Sequence, residues 1–237
     1  MHKVTSTPRE RRQLANRKRI LDGAMAQVAS GGVDALSINQ LARAVDYTPG
    51  ALYRYFPSKE ALIVALTAEV AASFGSMLQR TLTLVPADAP LQRVVVSALT
   101  YRDMSAAAPN RFALIALFMA EPKTLVSEPS HVAPSQSAVV AAVSPMAVAF
   151  EDAQAGGALD AGDAIERTIC AACALHGVLL LRKQAPRAPD YLDVGQLYLI
   201  TLRALLVGWG AQPAAVDAAI DAVEALGDLV ASVGDSS

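Results

Sequence analysis

The sequence predicts an all-α protein. Its composition is 53% hydrophobic but only 5% aromatic, and alanine is abundant, which favours helices over sheets. Apolar residues recur at helical spacing in most segments, and no alternation typical of strands persists. With 18% charged residues over 237 positions, the chain is long and apolar enough for one or two folded domains, and intrinsic disorder is excluded.

The sequence also carries signals about the cellular compartment. Two cysteines in a chain of this length do not make a disulfide scaffold, so the cytoplasm is the expected location. Residues 1–12 lack the apolar stretch of a secretory signal. The uncharged segment 129–150 is interrupted by Pro134 and Pro145, and the apolar segment 168–181 has 14 residues, too few to cross a bilayer. We therefore expect a soluble protein without a membrane partner.

The charge is distributed unevenly along the chain. Residues 1–60 contain ten basic and five acidic residues, a local charge of +5, whereas residues 61–237 contain ten basic and 17 acidic residues, a local charge of −7. Six of the basic residues fall within 9–19. This asymmetry indicates that the amino-terminal part binds a polyanion, although a solvated helix face would have the same pattern.

The first two helices are predicted from apolar spacing and capping residues. The first covers 9–30 and ends at Gly31-Gly32, and its buried face comprises Ile20, Leu21, Ala24, Met25 and Val28. The second begins at Ser37, because Ser37 and Gln40 have the spacing of a capping box. The buried face of this short helix comprises Ile38, Leu41, Ala42 and Val45.

A third short helix follows and completes a helix-turn-helix. Thr48 and Pro49 predict its start, since threonine caps helices and proline suits the first turn. The helix is predicted to extend to Phe56, and the side chains that point outward are Gly50, Ala51, Tyr53 and Arg54. Asp46 lies in the preceding turn, where glycine is common, and aspartate tolerates the left-handed conformation. Two short helices joined by such a turn and held by a longer first helix form a helix-turn-helix.

The remaining chain is predicted to be helical throughout. Pro57 ends the third helix and Ser58 caps the fourth. Pro145 is expected to bend its helix or to shift the start of that helix, and the Pro- and Ser-rich segment 121–136 is predicted to be a loop. The predicted helices cover 61–84, 91–107, 110–120, 137–154, 161–184, 191–207 and a last one from Pro213 with an apolar stripe of Val216, Ile220, Val223, Leu226 and Val230.

The segment 20–62 resembles the TetR-type transcriptional regulators. The resemblance is carried by Ile20-Leu21-Asp22, Ser37-Ile38, Leu41-Ala42 and above all residues 48–62, TPGALYRYFPSKEAL. It implies a helix-turn-helix DNA-binding domain with a basic amino-terminal arm in 1–60, and a helical effector-binding and dimerisation domain in 61–237. Three positions depart from the family pattern: Val28 replaces an aromatic residue, Asp46-Tyr47 replaces Gly-Val, and Pro49 replaces a lysine that contacts phosphate in many members.

The resemblance assigns a DNA-binding role to residues of the helix-turn-helix. Tyr53 and Tyr55 would donate hydroxyl groups to phosphates and Lys59 would add a cation, although both tyrosines are also compatible with packing between helices. Small residues at the start of the third helix would let it approach base edges, with the methyl of Ala51 close to thymine. The predicted DNA-binding residues are Ser37, Thr48, Pro49, Gly50, Ala51, Tyr53, Arg54, Tyr55 and Lys59.

A recognition helix of about two turns reads few base pairs, so a homodimer on an inverted-repeat operator is expected. In the family, two late helices usually form the dimer contact, and 161–184 and 191–207 correspond to them. Their apolar excess favours an interface, while a role in the monomer's own core is the alternative. The residues concerned are Ile165, Ile169, Val178, Leu179, Leu197, Ile200, Leu205 and Leu206.

The middle helices are expected to enclose a pocket for a small effector. Charge is scarce between Arg111 and Glu151, which indicates an apolar or aromatic ligand. Aromatic and methionine residues at helical spacing more often belong to a core, and this alternative applies to each candidate. The candidates are Tyr101, Arg102 as a polar contact, Met104, Phe112, Phe118, Met119, Met146, Phe150 and His176.

Cys170, Cys173 and His176 have a spacing that places all three on one helix face, as a metal site would require. Their neighbours are apolar, however, so a buried helix with buried thiols is the preferred interpretation, and no metal or cofactor is predicted. The sequence contains no phosphate-binding loop, zinc-protease helix or nucleophile elbow. We therefore expect a ligand-responsive DNA-binding regulator, a repressor by preference, rather than an enzyme, with a helical carrier or sensor that does not read DNA as the alternative.

Overall fold

The computed structural model describes residues 7–120, 132–188 and 191–233. Within these ranges the regular structure is entirely helical, which confirms the predicted fold class. Short 3₁₀ turns lie at Val33–Ala35, Leu82–Leu84, Leu181–Lys183 and Ala185–Arg187. The α-helices are α1 (Pro8–Gly31), α2 (Ile38–Ala44), α3 (Pro49–Leu52), α4 (Lys59–Thr81), α5 (Pro90–Ala107), α6 (Pro109–Ala120), α7 (Val132–Ala155), α8 (Ala164–Leu180), α9 (Val194–Gly208), α10 (Pro213–Glu224) and α11 (Leu229–Val233).

The chain forms two compact units. The first comprises Met1–Val70 and Ala108–Ser137, and the second comprises Ala71–Ala107 and Ala138–Ser237. The units therefore do not divide at residue 60: α4 contributes to both, and α6 belongs to the first unit. The functional division into a DNA-binding part and an effector-binding part stays a prediction.

The first unit has its own hydrophobic core. The predicted buried faces of α1 and α2 are found there, together with Leu52 and Phe56 around α3. Leu114 of α6 is completely buried in the same cluster, and the amide of Asn110 donates a hydrogen bond of 2.8 Å to the carbonyl oxygen of Ala29 in α1. Helix α6 is thus part of the scaffold that supports the helix-turn-helix.

The second unit is built around α5. This helix packs against α8, α10 and α11, and α8 also packs against α9. Large buried side chains in this core are Leu99, Phe150, Leu175, Tyr198, Leu202 and Leu206. The hydroxyl of Tyr198 donates a 2.6 Å hydrogen bond to the carbonyl oxygen of Ala98, so its polar end is satisfied within the core.

Several predicted boundaries require correction. The third helix ends at Leu52 instead of Phe56, although the N–H of Phe56 still donates to the carbonyl oxygen of Leu52 in a further turn. Helix α7 begins at Val132, inside the predicted loop 121–136, of which residues 121–131 lie outside the described residues. The last predicted helix is two helices, α10 and α11, because Gly227 adopts a φ of 77° between them.

Two helical stretches, Lys59–Leu84 and Ala164–Lys183, are long and apolar enough to cross a membrane by length and composition alone. The second stretch is longer than the 14-residue segment 168–181 that the sequence analysis judges too short to cross a bilayer, because the helix continues beyond this segment at both ends. Buried core helices of soluble proteins meet the same criterion, so this observation does not by itself indicate a membrane protein.

Candidate DNA-binding surface

Helix α2 is capped at its amino terminus and is tied to α1. The Oγ atom of Ser37 accepts the N–H of Gln40 at 3.4 Å, which is one half of the predicted capping box. The other half differs from the prediction, because the N–H of Ser37 donates to Oε1 of Gln27 in α1 at 3.0 Å. The glutamine that completes the cap therefore comes from α1, and it fixes the position of α2.

The turn between α2 and α3 adopts the left-handed conformation expected for it. Asp46 has a φ of 57°, and among the described residues no other residue apart from glycine has a positive φ. The N–H of Tyr47 then donates to the carbonyl oxygen of Ala42 at 2.8 Å, which closes the turn. An aspartate thus occupies a conformation that glycine adopts without steric cost.

We expect Asp46→Gly to stabilise the first unit by about 1 kcal/mol, because it removes the steric cost of a left-handed residue. Asp46→Val should destabilise it by at least a similar amount, since a β-branched residue is an outlier at positive φ. Urea unfolding of the three proteins measures both effects. A loss of stability on Asp46→Gly would show that the aspartate side chain contributes more than the backbone conformation costs.

Helix α3 presents a small and exposed surface. The Oγ1 atom of Thr48 accepts the N–H of Ala51 at 3.2 Å, and Pro49 occupies the first helical position, as predicted. A Cβ atom at Gly50 would have no neighbour within 4 Å, so this position faces open space. Thr48, Pro49, Gly50 and Arg54 are exposed and Ala51 is half-buried. The amino-terminal turn of α3 is therefore accessible to a partner as large as a DNA duplex.

The two candidate tyrosines have different environments. Tyr53 is 46% exposed and is directed outward, in agreement with the helical phase. Tyr55 is half-buried: its ring lies 6.0 Å from that of Tyr47, and its hydroxyl oxygen accepts the side-chain N–H of Asn16 at 3.1 Å. The ring of Tyr55 is therefore packed within the first unit, in agreement with the alternative interpretation. The contact of its hydroxyl with phosphate stays a prediction.

The basic residues of α1 are not equivalent. Lys18 forms an ion pair of 2.8 Å with Asp22, and this hydrogen bond raises the pKa of Lys18. The guanidinium of Arg19 lies 5.0 Å from the ring centre of Tyr47, while Arg9 and Arg12 are exposed. Lys59 is half-buried at the first position of α4, next to Ser58, whose Oγ atom caps the helix as predicted. The predicted basic arm is thus part of helix α1, and its last two cations, Lys18 and Arg19, have partners within the first unit.

The predicted pocket residues belong to both units. The hydroxyl of Tyr101 and Nδ1 of His176 lie 2.6 Å apart, and burial raises the pKa of Tyr101 and lowers that of His176. Met146 and Phe150 are buried and Met104 is half-buried in the same unit. Phe112 is half-buried in the first unit, and the side chains of Phe118 and Met119 lie outside the described part of the structure.

Arg102 lies at the surface of the second unit, where it pairs with two carboxylates. Its Nε atom is 2.8 Å from Asp103 and its Nη1 atom is 2.9 Å from Glu224. These groups line a cleft of about 490 Å³ together with Ala106, Ala107, Gly227 and Asp228. The partners of Arg102 are therefore acidic side chains at this cleft, and its role as the polar contact of an effector pocket stays a prediction.

Cys170 and Cys173 are both exposed, which corrects the expectation that these thiols are buried. His176 is buried on another side of α8. No group of three His, Cys, Asp or Glu side chains is placed to hold a metal ion within 7–120, 132–188 and 191–233. The spacing of three is thus not sufficient to make a metal site of these residues, in which both thiols are exposed and the imidazole is buried.

Three contributors to the site were missed by the sequence analysis. Asn16 contacts Tyr55, Gln27 contacts Ser37, and Asn110 joins α6 to α1. All three are amides at otherwise ordinary positions of amphipathic helices, and their partners are 10 to 81 residues away. No local pattern in the sequence marks such contacts.

The geometry defines a class of protein: a helix-turn-helix with an exposed third helix on an all-helical chain is typical of DNA-binding proteins. Residues 20–66 match the family profile of the bacterial regulatory proteins of the tetR family. The helix-turn-helix segment of this chain is therefore similar to the tetR family over these residues.

Known proteins agree with this assignment. The transcriptional repressor KstR of Rhodococcus jostii is 45% identical over 56 residues, which is 24% of this chain and 26% of that protein. The chain thus matches about a quarter of the length of its curated relatives. A structure of unknown function from Rhodococcus sp. RHA1 has a TM-score of 0.65 at 24% identity and covers 83% of this chain and 96% of its own. RolR, solved with resorcinol, has a TM-score of 0.65 at 19% identity, over 88% and 95% of the two chains. These two structures establish the similarity of fold.

Proposed function

We propose that this protein is a ligand-responsive transcriptional regulator that binds an inverted-repeat operator as a homodimer and acts as a repressor. The observation that carries the proposal is the exposed amino-terminal turn of α3 within a TetR-type domain. Open space at Gly50 lets this turn approach base edges, and the outward side chain of Tyr53 supplies a hydroxyl for phosphate. Residues 1–60 carry a local charge of +5, which favours a polyanionic partner.

A homodimer is supported by the outer faces of α8 and α9. Ile165 is 62% exposed, Ile169 and Ile200 are each 54% exposed, and Leu180 is 52% exposed. Of the sequence-predicted interface residues, Leu179 and Leu206 are buried within the unit and serve its own core. Exposed apolar side chains on two helices that pack together are typical of an interface, and a twofold axis would pair this face with its own copy.

For the effector we propose a small apolar or aromatic molecule that binds the second unit. The hydrogen-bonded pair Tyr101 and His176 offers a polar contact among apolar side chains, including Phe74, whose ring lies 5.3 Å from that of Tyr101 in an edge-on arrangement. Such a molecule would shift the regulator between DNA-binding and released states through a coupling of about 1–3 kcal/mol. The resorcinol bound by RolR is an aromatic molecule of this kind.

The proposal requires no cofactor, metal ion or catalytic step, and it places the protein in the cytoplasm without a membrane partner. TetR-type domains are DNA-binding modules, and the described site contains hydroxyl, amide and basic groups suited to binding. The alternative, a helical carrier or sensor without DNA readout, shares the second unit but gives no role to the exposed surface of α3. A DNA-binding assay distinguishes the two.

Tyr53→Ala and Lys59→Ala are each expected to lower affinity for duplex DNA by about tenfold or more, since a hydrogen bond to a charged phosphate contributes about 1.5–3 kcal/mol. Binding is measured by fluorescence anisotropy on DNA recovered from a genomic selection, and on bulk duplex over a range of salt concentrations. The matched controls are Tyr191→Ala and Lys183→Ala, which change exposed residues of the same types in the second unit. A parent protein whose affinity does not fall linearly with the logarithm of salt concentration would be a carrier, not a regulator.

A further inference from the structure

Asn16 and Arg17, neighbours in α1, both contact the segment that follows α3. The side-chain amide of Asn16 donates to the hydroxyl oxygen of Tyr55 at 3.1 Å. Nη1 of Arg17 donates to the carbonyl oxygen of the same tyrosine at 3.4 Å, and the guanidinium lies over the ring of Phe56 at 4.3 Å from its centre. Two consecutive residues of α1 therefore hold both the side chain and the backbone of Tyr55.

The contact with Asn16 determines how the tyrosine hydroxyl can be used. A phenolic hydroxyl has one donor hydrogen and accepts through its lone pairs. The amide of Asn16 is a donor and occupies one lone pair of the Tyr55 hydroxyl, and the hydroxyl of Tyr47 forms a second side-chain hydrogen bond with the same group. A phosphate oxygen accepts hydrogen bonds and does not donate them. With Tyr47 as the donor in its hydrogen bond, both lone pairs of the Tyr55 hydroxyl are used and the O–H is left for a phosphate.

Arg17 is placed differently from a cation that neutralises phosphates. Its side chain is half-buried, and its guanidinium is shared between the ring of Phe56 and a backbone carbonyl. The nearby carboxylate of Glu69 also interacts with its charge. A guanidinium that stacks on an aromatic ring and binds a carbonyl fixes geometry in a way that lysine does not reproduce.

We propose that Asn16 and Arg17 are positioning residues for DNA recognition: Asn16 directs the hydroxyl of Tyr55 towards a phosphate, and Arg17 fixes the turn at Tyr55 and Phe56 that ends the recognition segment. Neither side chain itself binds DNA. The inference rests on the proposed function, because these residues would support the same DNA-binding surface from within the first unit.

The role of Asn16 is tested with a double-mutant cycle. Asn16→Ala is expected to weaken operator binding about five- to tenfold in the parent protein, and to have no effect in a Tyr55→Phe background, where no hydroxyl remains to be directed. Gln13→Ala, which removes an exposed amide from the same helix, is the control and should leave affinity unchanged. Equal losses from Asn16→Ala in both backgrounds would overturn the role of Asn16.

The role of Arg17 is tested by salt dependence. We expect Arg17→Lys to weaken operator binding about tenfold, while the slope of log affinity against log salt stays unchanged. A phosphate contact would give the opposite pattern, with affinity retained by Arg17→Lys and a slope reduced by about 0.9 in Arg17→Ala. Thermal unfolding is measured for each variant, and a lower Tm with unchanged affinity of the folded protein would assign Arg17 to stability alone and overturn the proposal.

Failure of this inference is distinguishable from failure of the proposed function. If Tyr53→Ala and Lys59→Ala weaken binding while the Asn16 and Arg17 variants bind like the parent, the surface is correct and the positioning role is wrong. If the parent protein itself has no salt-dependent affinity for duplex DNA, the proposed function fails and the inference fails with it.

Discussion

Ile169→Asp is expected to convert the protein to a monomer and to lower its operator affinity by at least 100-fold. Ile169 is 54% exposed on the outer face of α8, within the apolar surface that we propose to lie between two copies. The twofold axis would place two carboxylates in this interface, and an unpaired buried charge costs several kcal/mol. Since each copy contributes one short recognition helix, loss of the dimer removes one half-site from the complex.

Sedimentation velocity and anisotropy on the selected operator measure the two effects of Ile169→Asp. Val140→Asp is the matched control, because Val140 is an apolar residue of α7 that is 66% exposed in the same unit but lies outside the α8 and α9 faces. The control should remain dimeric and bind the operator like the parent protein. A dimeric Ile169→Asp variant with unchanged affinity would move the interface to another surface.

The helix-turn-helix was predictable because its signals are local. Thr48 and Pro49 mark the start of α3 by capping chemistry that involves only four consecutive residues. The left-handed conformation of Asp46 follows from its place in a turn between two helices. The apolar phase set by Leu52 and Phe56 also gave the outward direction of Tyr53.

The contacts that support this motif were not predictable, because they join distant parts of the chain. Asn16 and Tyr55 are 39 residues apart, and Asn110 and Ala29 are 81 residues apart. The resemblance implies a domain boundary near residue 60, which puts α6 in the carboxy-terminal part, whereas burial of Leu114 places this helix in the core beside α1. Helical periodicity shows which face of α6 is apolar but does not show which helix covers that face.

The exposed cysteines illustrate the same difficulty on the surface. Apolar neighbours around Cys170 and Cys173 favoured a buried helix, and the structure instead leaves one side of α8 uncovered in the single chain. Composition cannot distinguish a helix buried on all sides from a helix that keeps an apolar face for a second copy. The distinction requires the exposed fractions of Ile165 and Ile169, which only the folded chain provides.

The role of α6 in the first unit leads to a second prediction with a large effect. Leu114→Ala is expected to destabilise this unit by about 2–5 kcal/mol, because truncation of a completely buried leucine removes its transfer free energy and leaves a cavity. Hydrogen exchange should accelerate at the protected amides of α1 and α2 by roughly 30-fold or more, which is the expected response of a unit that opens more often. Operator binding should weaken as the unit becomes partly unfolded at assay temperature.

Leu14→Ala provides the control for Leu114→Ala, since it makes the same chemical change at a leucine of α1 that is 62% exposed. A surface truncation of this kind should change stability by no more than about 0.5 kcal/mol. If Leu114→Ala left exchange in α1 and α2 as slow as in Leu14→Ala, the helix-turn-helix would fold without α6. The boundary of the DNA-binding domain would then lie near residue 60, as the family resemblance implied, and the burial of Leu114 would be a consequence of the fold that contributes little to its stability.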